Sequence, residues 1–232
     1  MYRFLLWRLA PFYVVALICE FITFGVLLSV EQNLVDWSFL PMVKTIGVLL
    51  KTSTIAFVYL MIPYMTYLCF IPANKINSPF DKNLTTIVYA SFVFFMLFEE
   101  TMSLVFWNRY STSFNNKAVE YMLNVNEVSN SLTHNYMFFG YILALFVITH
   151  LIMIKSKPFL WYPKQILGIG KRIFYWLVYV ACCAMIFVNF NDNELKINEN
   201  NVNNELSKGG TYSLVSSFWQ SKSLYLRFYM LK

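Results

Sequence analysis

Residues 9–30, LAPFYVVALICEFITFGVLLSV, decide the fold class of this chain. The run holds a single charged residue, Glu20, and at about 1.5 Å per residue it is long enough to cross a hydrocarbon core of about 30 Å. Arg3 and Arg8 precede it, as basic residues precede a secretory signal. However, the run is too long for a signal-peptide core, and no small-x-small cleavage site follows it. The sequence therefore predicts an uncleaved membrane-spanning helix.

Four more apolar runs have the same character. The chain is 58% hydrophobic and 13% charged, whereas a soluble domain is about a quarter charged. The run that starts at Leu84 is short as written, and we expect it to continue past Glu99 and Glu100 to Trp107. We predict an all-α integral membrane protein with five transmembrane helices in residues 1–190. The four further spans run approximately over Ile46–Phe70, Leu84–Leu97, Tyr136–Ile154 and Ile173–Phe190.

The basic residues alternate between the connections. Nine Lys and Arg residues fall on one side of the predicted spans and three on the other. The positive-inside rule then places the N-terminus in the cytoplasm and the tail after residue 190 outside it. The basic residues flank apolar runs and form no continuous stripe, so we expect no nucleic-acid partner. The nine are Arg3, Arg8, Lys75, Lys82, Lys155, Lys157, Lys164, Lys171 and Arg172, and the three are Lys44, Arg109 and Lys117.

The third connection, residues 108–135, carries a helical pattern. Its apolar residues recur at spacings of three and four, and Ser111, Thr112 and Ser113 precede them as capping residues. This predicts an amphipathic helix lying in the outer interface. A helix that only shields the top of the bundle has the same pattern, so both interpretations stay open. The stripe consists of Phe114, Ala118, Tyr121, Val125 and Val128.

The tail, residues 191–232, is the second part of the chain outside the predicted spans. Its first section, Asn191–Glu205, is rich in Asn and Glu and is typical of a solvated spacer. An apolar section follows, and some forty residues are too few to form a convincing domain alone. We expect an exported linker.

The chain has little of the chemistry that enzymes use. Its two histidines, His134 and His150, cannot form a three-ligand metal site, and no phosphate loop or nucleophile elbow is present. We expect no catalytic residue, no metal ligand and no cofactor here. Glu20 and Lys51 lie within predicted spans, where charge is costly. We interpret them as a structural pair or, for Lys51, as a snorkelling side chain.

Glu99 and Glu100 adjoin the outer interface of the third predicted span. Their place beside the outer interface favours hydrated, inexpensive carboxylates. A proton relay normally needs more than one isolated carboxylate, so the pattern favours a structural role for Glu20.

Two stretches resemble one family. Ser113-Phe114-Asn115, Ala118-Val119-Glu120-Tyr121, Asn126-Glu127-Val128 and Asn130 are similar to the outer loop of the lipoteichoic-acid-synthase-like phosphotransferases, members of the sulfatase and alkaline phosphatase superfamily. Asn204-Glu205-Leu206-Ser207-Lys208-Gly209-Gly210, with Tyr212 and Phe218, resembles the segment that joins their membrane and catalytic domains. The chain departs from the family pattern at Ser113 (usually Arg), Glu120 (Asp) and Gly209 (Asn).

This resemblance implies a function for the complete protein. Family members transfer phosphoglycerol or phosphoethanolamine from a phospholipid head group, using a Thr nucleophile and a divalent metal in an exported domain. No residue here matches that nucleophile or those ligands. We therefore expect a membrane anchor in the bacterial inner membrane, whose partners are lipid head groups and a catalytic domain that is missing or separately encoded. The alternative is a stand-alone small membrane protein that acts as a subunit or scaffold.

Overall fold

The computed structural model describes residues 2–115, 136–160, 168–189, 195–196 and 198–217. Five of its helices are long and apolar enough to cross a membrane, which confirms the predicted number of spans. The helices are α1 (Tyr2–Val30), α2 (Phe39–Leu60), α3 (Ile62–Phe70), α4 (Pro79–Tyr110), α5 (Tyr136–Ser156), α6 (Ile169–Asn189), α7 (Asn201–Leu206) and α8 (residues 210–217). Short 3-10 turns cover Ala73–Lys75 and Lys157–Leu160.

Helix α4 continues without a break through Glu99 and Glu100, as the sequence predicted. It starts at a Ser78 cap, whose side chain accepts a hydrogen bond from the backbone N–H of Asp81. The predicted second span, in contrast, is two helices. The break falls at Met61, because Pro63 has no backbone N–H and fits only in the first turn of α3.

The bundle core centres on Phe12 of α1, which is fully buried. Its ring lies 5.0 Å from that of Tyr64 on α3 and 4.9 Å and 5.4 Å from those of Tyr89 and Phe92 on α4. Aromatic side chains thus join three helices at one level. Large apolar side chains on the far faces of α5 and α6 are exposed, as expected of surfaces that face lipid.

A buried ion pair closes one end of the bundle, here called the Arg8 end. Arg8 and Asp81 are each 1% exposed, and Nη2 of Arg8 lies 2.6 Å from Oδ2 of Asp81. Arg8 also donates to Thr85 and Asn77, at 3.0 Å each. Tyr67 donates to the other oxygen of Asp81. Two of the nine flanking basic residues are therefore buried, since Arg172 is also 1% exposed and donates to the carbonyl of Ile71.

The tail packs against the opposite end of the bundle, here called the tail end, where α1 and α4 end and α2 begins. Leu195 is 1% exposed and packs with Val48 and Ile55 of α2 and with Tyr212. Asn203 is fully buried. The predicted solvated spacer is therefore wrong for the described part of Asn191–Glu205. Its asparagines serve as specific hydrogen-bonding groups between tail and bundle.

Candidate functional site

Asn203 anchors the tail to the loop between α1 and α2. Its side-chain oxygen accepts from the backbone N–H of Asp36 at 2.9 Å, and its amide nitrogen donates to the Asp36 carbonyl at 3.1 Å. The same nitrogen donates to Thr45. Asp36 is itself fixed, because its carboxylate accepts from the Ser38 backbone N–H at 2.9 Å. Hydrogen bonds from the Ser38 side chain and backbone hold the pKa of Asp36 below its usual range.

The two stretches that carry the family resemblance touch each other. The hydroxyl of Ser113 donates to the carbonyl of Glu205 at 2.7 Å, and the Ser113 N–H donates to the Glu205 carboxylate at 3.3 Å. Nearby, Ser217 of α8 donates to the carbonyl of Phe114 at 3.0 Å. Residues that are 92 positions apart in sequence are thus joined by main-chain and side-chain hydrogen bonds.

The other motif residues take defined places where the structure describes them. Phe114 is buried, 5.3 Å from the ring of Phe106, and the Asn115 amide donates to Thr112. Asn204 exchanges two hydrogen bonds with the Asn198 backbone, and Tyr212 is buried. Tyr121, Asn126, Glu127, Asn130 and Phe218, and with them the predicted loop helix, lie outside the described residues.

Three carboxylates meet beneath the tail. Glu20 of α1 and Glu99 and Glu100 of α4 are 2%, 2% and 4% exposed. The expectation that Glu99 and Glu100 lie in hydrated surroundings is therefore wrong, because the packed tail covers them. Within the described ranges, no salt bridge joins any of the three to a basic side chain. We call them the carboxylate cluster.

Lys51 does not belong to this cluster. Its side chain is exposed on α2, whereas Glu20 faces hydroxyl groups of Ser53 and Thr211 and the backbone N–H groups of Gly210 and Thr211. The predicted pairing of Glu20 with Lys51 is therefore replaced by donors from the tail.

Two glycines let the tail backbone touch the carboxylates. A Cβ on Gly209 would lie 2.5 Å from Oε2 of Glu20, and Gly209 also has a φ of +68°, which favours glycine. A Cβ on Gly210 would lie 2.7 Å from Oε1 of Glu99 and 3.2 Å from Oε2 of Glu100. No other residue type fits either position without displacing a carboxylate.

Hydrogen-bond donors are unevenly shared within the cluster. Thr211 donates to Oε2 of Glu99 at 2.9 Å, and α8 directs its first N–H groups at Glu20, where the partial positive charge of a helix start favours an anion. In the part of the chain that the structure describes, Oε1 of Glu20 and Oε1 of Glu99 have no donor, and Glu100 has none in hydrogen-bonding geometry, although the Thr23 hydroxyl faces it.

Two cavities of about 10 Å³ each adjoin Glu20, and each is about the size of one water molecule. The first reaches Thr23, Ser103 and Ser113 and ends at Glu205 near the tail end. The second lies between Ser53 and Thr211. Such volumes admit water, a proton or a very small ion and exclude an organic substrate.

Sequence reasoning identified Glu20 but missed the carboxylate cluster. The available signal was the Glu99–Glu100 pair inside a predicted span together with Gly209–Gly210 in the tail. Among the described residues, no three His, Cys, Asp or Glu side chains converge as metal ligands. Comparisons with protein-family models, with curated proteins and with solved structures find no match to this chain.

Proposed function

We propose that this chain is the membrane anchor of a phosphoglycerol- or phosphoethanolamine-transferase-like protein and performs no catalysis itself. The observation that supports this most is the contact between Ser113 and Glu205. Two stretches that resemble one family, in the same order along the chain, would be expected to pack together if they formed one functional unit.

A fixed tail suits an anchor that must present another domain to lipid. The hydrogen bonds of Asn203 and Ser217 hold both halves of the described tail against the bundle. A catalytic domain attached there, either joined to the tail or separately encoded, would stay close to the head-group layer. Proximity of this kind raises the effective concentration of a membrane-bound donor lipid.

The proposed location is the bacterial inner membrane, with the N-terminus in the cytoplasm and the tail end outside. The distribution of nine basic residues against three supports that orientation. The divalent metal of the proposed transferase would belong to the catalytic domain, where family members carry it.

A second function, as a subunit that binds another membrane protein, has one observation in its favour. In the most apolar part of the spans Phe139–Leu160 and Ile169–Ile186, 11% of the residues are buried, whereas the share is 39% in each of the other three spans. Their broad apolar faces fit a partner helix as well as they fit lipid.

The two functions are distinguished by the DNA that follows the codon for Lys232 and by the proteins that copurify with the tagged chain. An adjacent reading frame or a copurifying protein with a Thr nucleophile and Asp, Glu and His metal ligands supports the anchor. Head-group transfer from fluorescent phosphatidylglycerol or phosphatidylethanolamine by that complex, lost after removal of this chain, would establish it. A partner without such a domain would favour the subunit.

A further inference from the structure

We propose that Glu20, Glu99 and Glu100 form a proton-binding site that Gly209–Thr211 of the tail closes, and that proton occupancy keeps the tail docked. This inference does not rest on the proposed function, since it concerns only contacts within the chain. Three observations support it: the burial of the three carboxylates, the hydrogen-bond donors that they lack, and the small cavity beside Glu20.

Ionisation of the whole cluster would be costly. Three carboxylates at 2–4% exposure, with no basic partner among the described residues, cannot all be ionised without large desolvation and mutual repulsion. Carboxylates that share a site relieve this by sharing protons. The cluster is therefore stable when it holds protons.

Several hydrogen-bond acceptors of the cluster are unmet. Oε1 of Glu99 has no donor in the described structure, and neither oxygen of Glu100 has one in hydrogen-bonding geometry, although the Thr23 hydroxyl faces that carboxylate. Oε1 of Glu99 and Oε2 of Glu100 lie 2.7 Å and 3.2 Å from the same point beside Gly210. A protonated carboxyl supplies an O–H donor. A proton on Glu99 or Glu100 would therefore give this cleft a hydrogen-bond donor that it otherwise lacks.

The tail determines where the remaining negative charge rests. Glu20 faces the N–H groups of Gly210 and Thr211, and Thr211 bridges to Glu99 with its hydroxyl. We therefore assign the charge to Glu20 and the protons to Glu99 and Glu100. Loss of those protons would place like charges against each other and expel the tail.

Water can be held beside the cluster. The cavity of about 10 Å³ next to Glu20 is also lined by Thr23, Ser103 and Glu205, and Glu205 pairs with Lys208 and is 30% exposed. A water molecule in this cavity would lie between the cluster and a partly exposed carboxylate. The titratable groups near the cluster on neighbouring elements are Cys19 on α1 and Glu205 in the tail, which lines the cavity and pairs with Lys208. Tyr141 on α5 faces Thr101, and α2 contributes the Ser53 hydroxyl.

The first test measures the protons directly. The full chain in lipid nanodiscs at neutral pH should show an infrared C=O band of protonated carboxyl groups that shifts in D2O. The band should weaken in Glu99→Gln and in Glu100→Gln and stay unchanged in Glu199→Gln, which alters an exposed carboxylate. If the wild-type band is absent, or if the first two variants leave it intact, the proposal is wrong.

The second test measures docking. In a variant whose four cysteines are replaced, Ser213→Cys places a thiol at a buried position, and Asn201→Cys gives an exposed reference on α7. The labelling rate by a soluble maleimide, divided by the reference rate, should rise with pH by up to about tenfold per unit if opening releases one proton. Glu99→Gln/Glu100→Gln should remove this rise.

The Gln variants keep the size of the side chain, and thermal unfolding verifies that they fold. If the double variant is not recovered, either single variant should reduce the pH dependence. A wild-type ratio that does not change with pH, or one that rises equally in the Gln variants, would overturn the coupling.

Discussion

Gly210 lies against Glu99 so closely that a Cβ would sit 2.7 Å from the carboxylate oxygen Oε1. Contacts under 3 Å between such atoms require one of them to move. The backbone of the tail at Gly210 thus contacts α4 directly, which is possible because glycine has no side chain. Residues 209–211 of the tail therefore contact carboxylates of both α1 and α4.

Substitution of Gly210 should therefore loosen the tail. Gly210→Ala should lower the free energy of unfolding by roughly 1–3 kcal/mol, as overpacking of a filled core does, and should raise cysteine labelling at Ser213→Cys. Gly47→Ala is the control, because a Cβ there meets nothing within 4 Å. Addition of Glu99→Ala should recover part of the loss by removing the clash. Equal effects of the two Gly substitutions would contradict this account.

The Arg8–Asp81 ion pair should be needed for the stability of the fold, because either partner alone would be a buried, uncompensated charge. Arg8→Ala leaves Asp81 charged at 1% exposure, which should cost roughly 3–5 kcal/mol. Arg109→Ala removes an exposed arginine from α4 and should change stability by less than about 0.5 kcal/mol. Thermal unfolding in detergent compares them. A similar loss of stability in both variants would show that the effect does not depend on the pairing of Arg8 with Asp81.

The sequence predicted the number of spans correctly because length and apolar composition determine them locally, but it placed the second span too late, at Ile46–Phe70 in place of Phe39–Leu60. It also placed Glu20 in a span correctly. The carboxylate cluster could not be predicted from the sequence. Its formation depends on which faces of α1 and α4 pack against each other and on a tail that folds back onto them. The prediction of a solvated spacer over the Asn-rich stretch Asn191–Glu205 was wrong for a related reason. Asparagine is common in spacers, yet Asn203 makes its hydrogen bonds to Asp36 and Thr45, more than 150 residues away.

Asp36 should titrate at low pH. The Ser38 hydrogen bonds favour its charged form, so the pKa is lower in the folded state than in the unfolded chain. The resulting stabilisation is fully present above the unfolded pKa and is lost as the pH falls through the folded pKa. Carbon-13 NMR titration of labelled Asp should show a midpoint below the ordinary range that Asp36→Asn removes. Ser38→Ala should shift the midpoint upward, and an unshifted midpoint would refute the role of Ser38.

Asn203 should be the strongest single attachment of the tail. Asn203→Ala removes both hydrogen bonds to the Asp36 backbone and the one to Thr45. Unmet buried groups cost about 1–3 kcal/mol each, so tail docking should weaken by roughly 2–4 kcal/mol. The initial rate of tryptic cleavage after Lys208 reports this, because cleavage requires the tail to open locally. Asn201→Ala, two positions away on the exposed face of α7, should leave that rate unchanged. If both variants accelerate cleavage equally, the attachment lies in α7 as a whole and Asn203 has no special part in it.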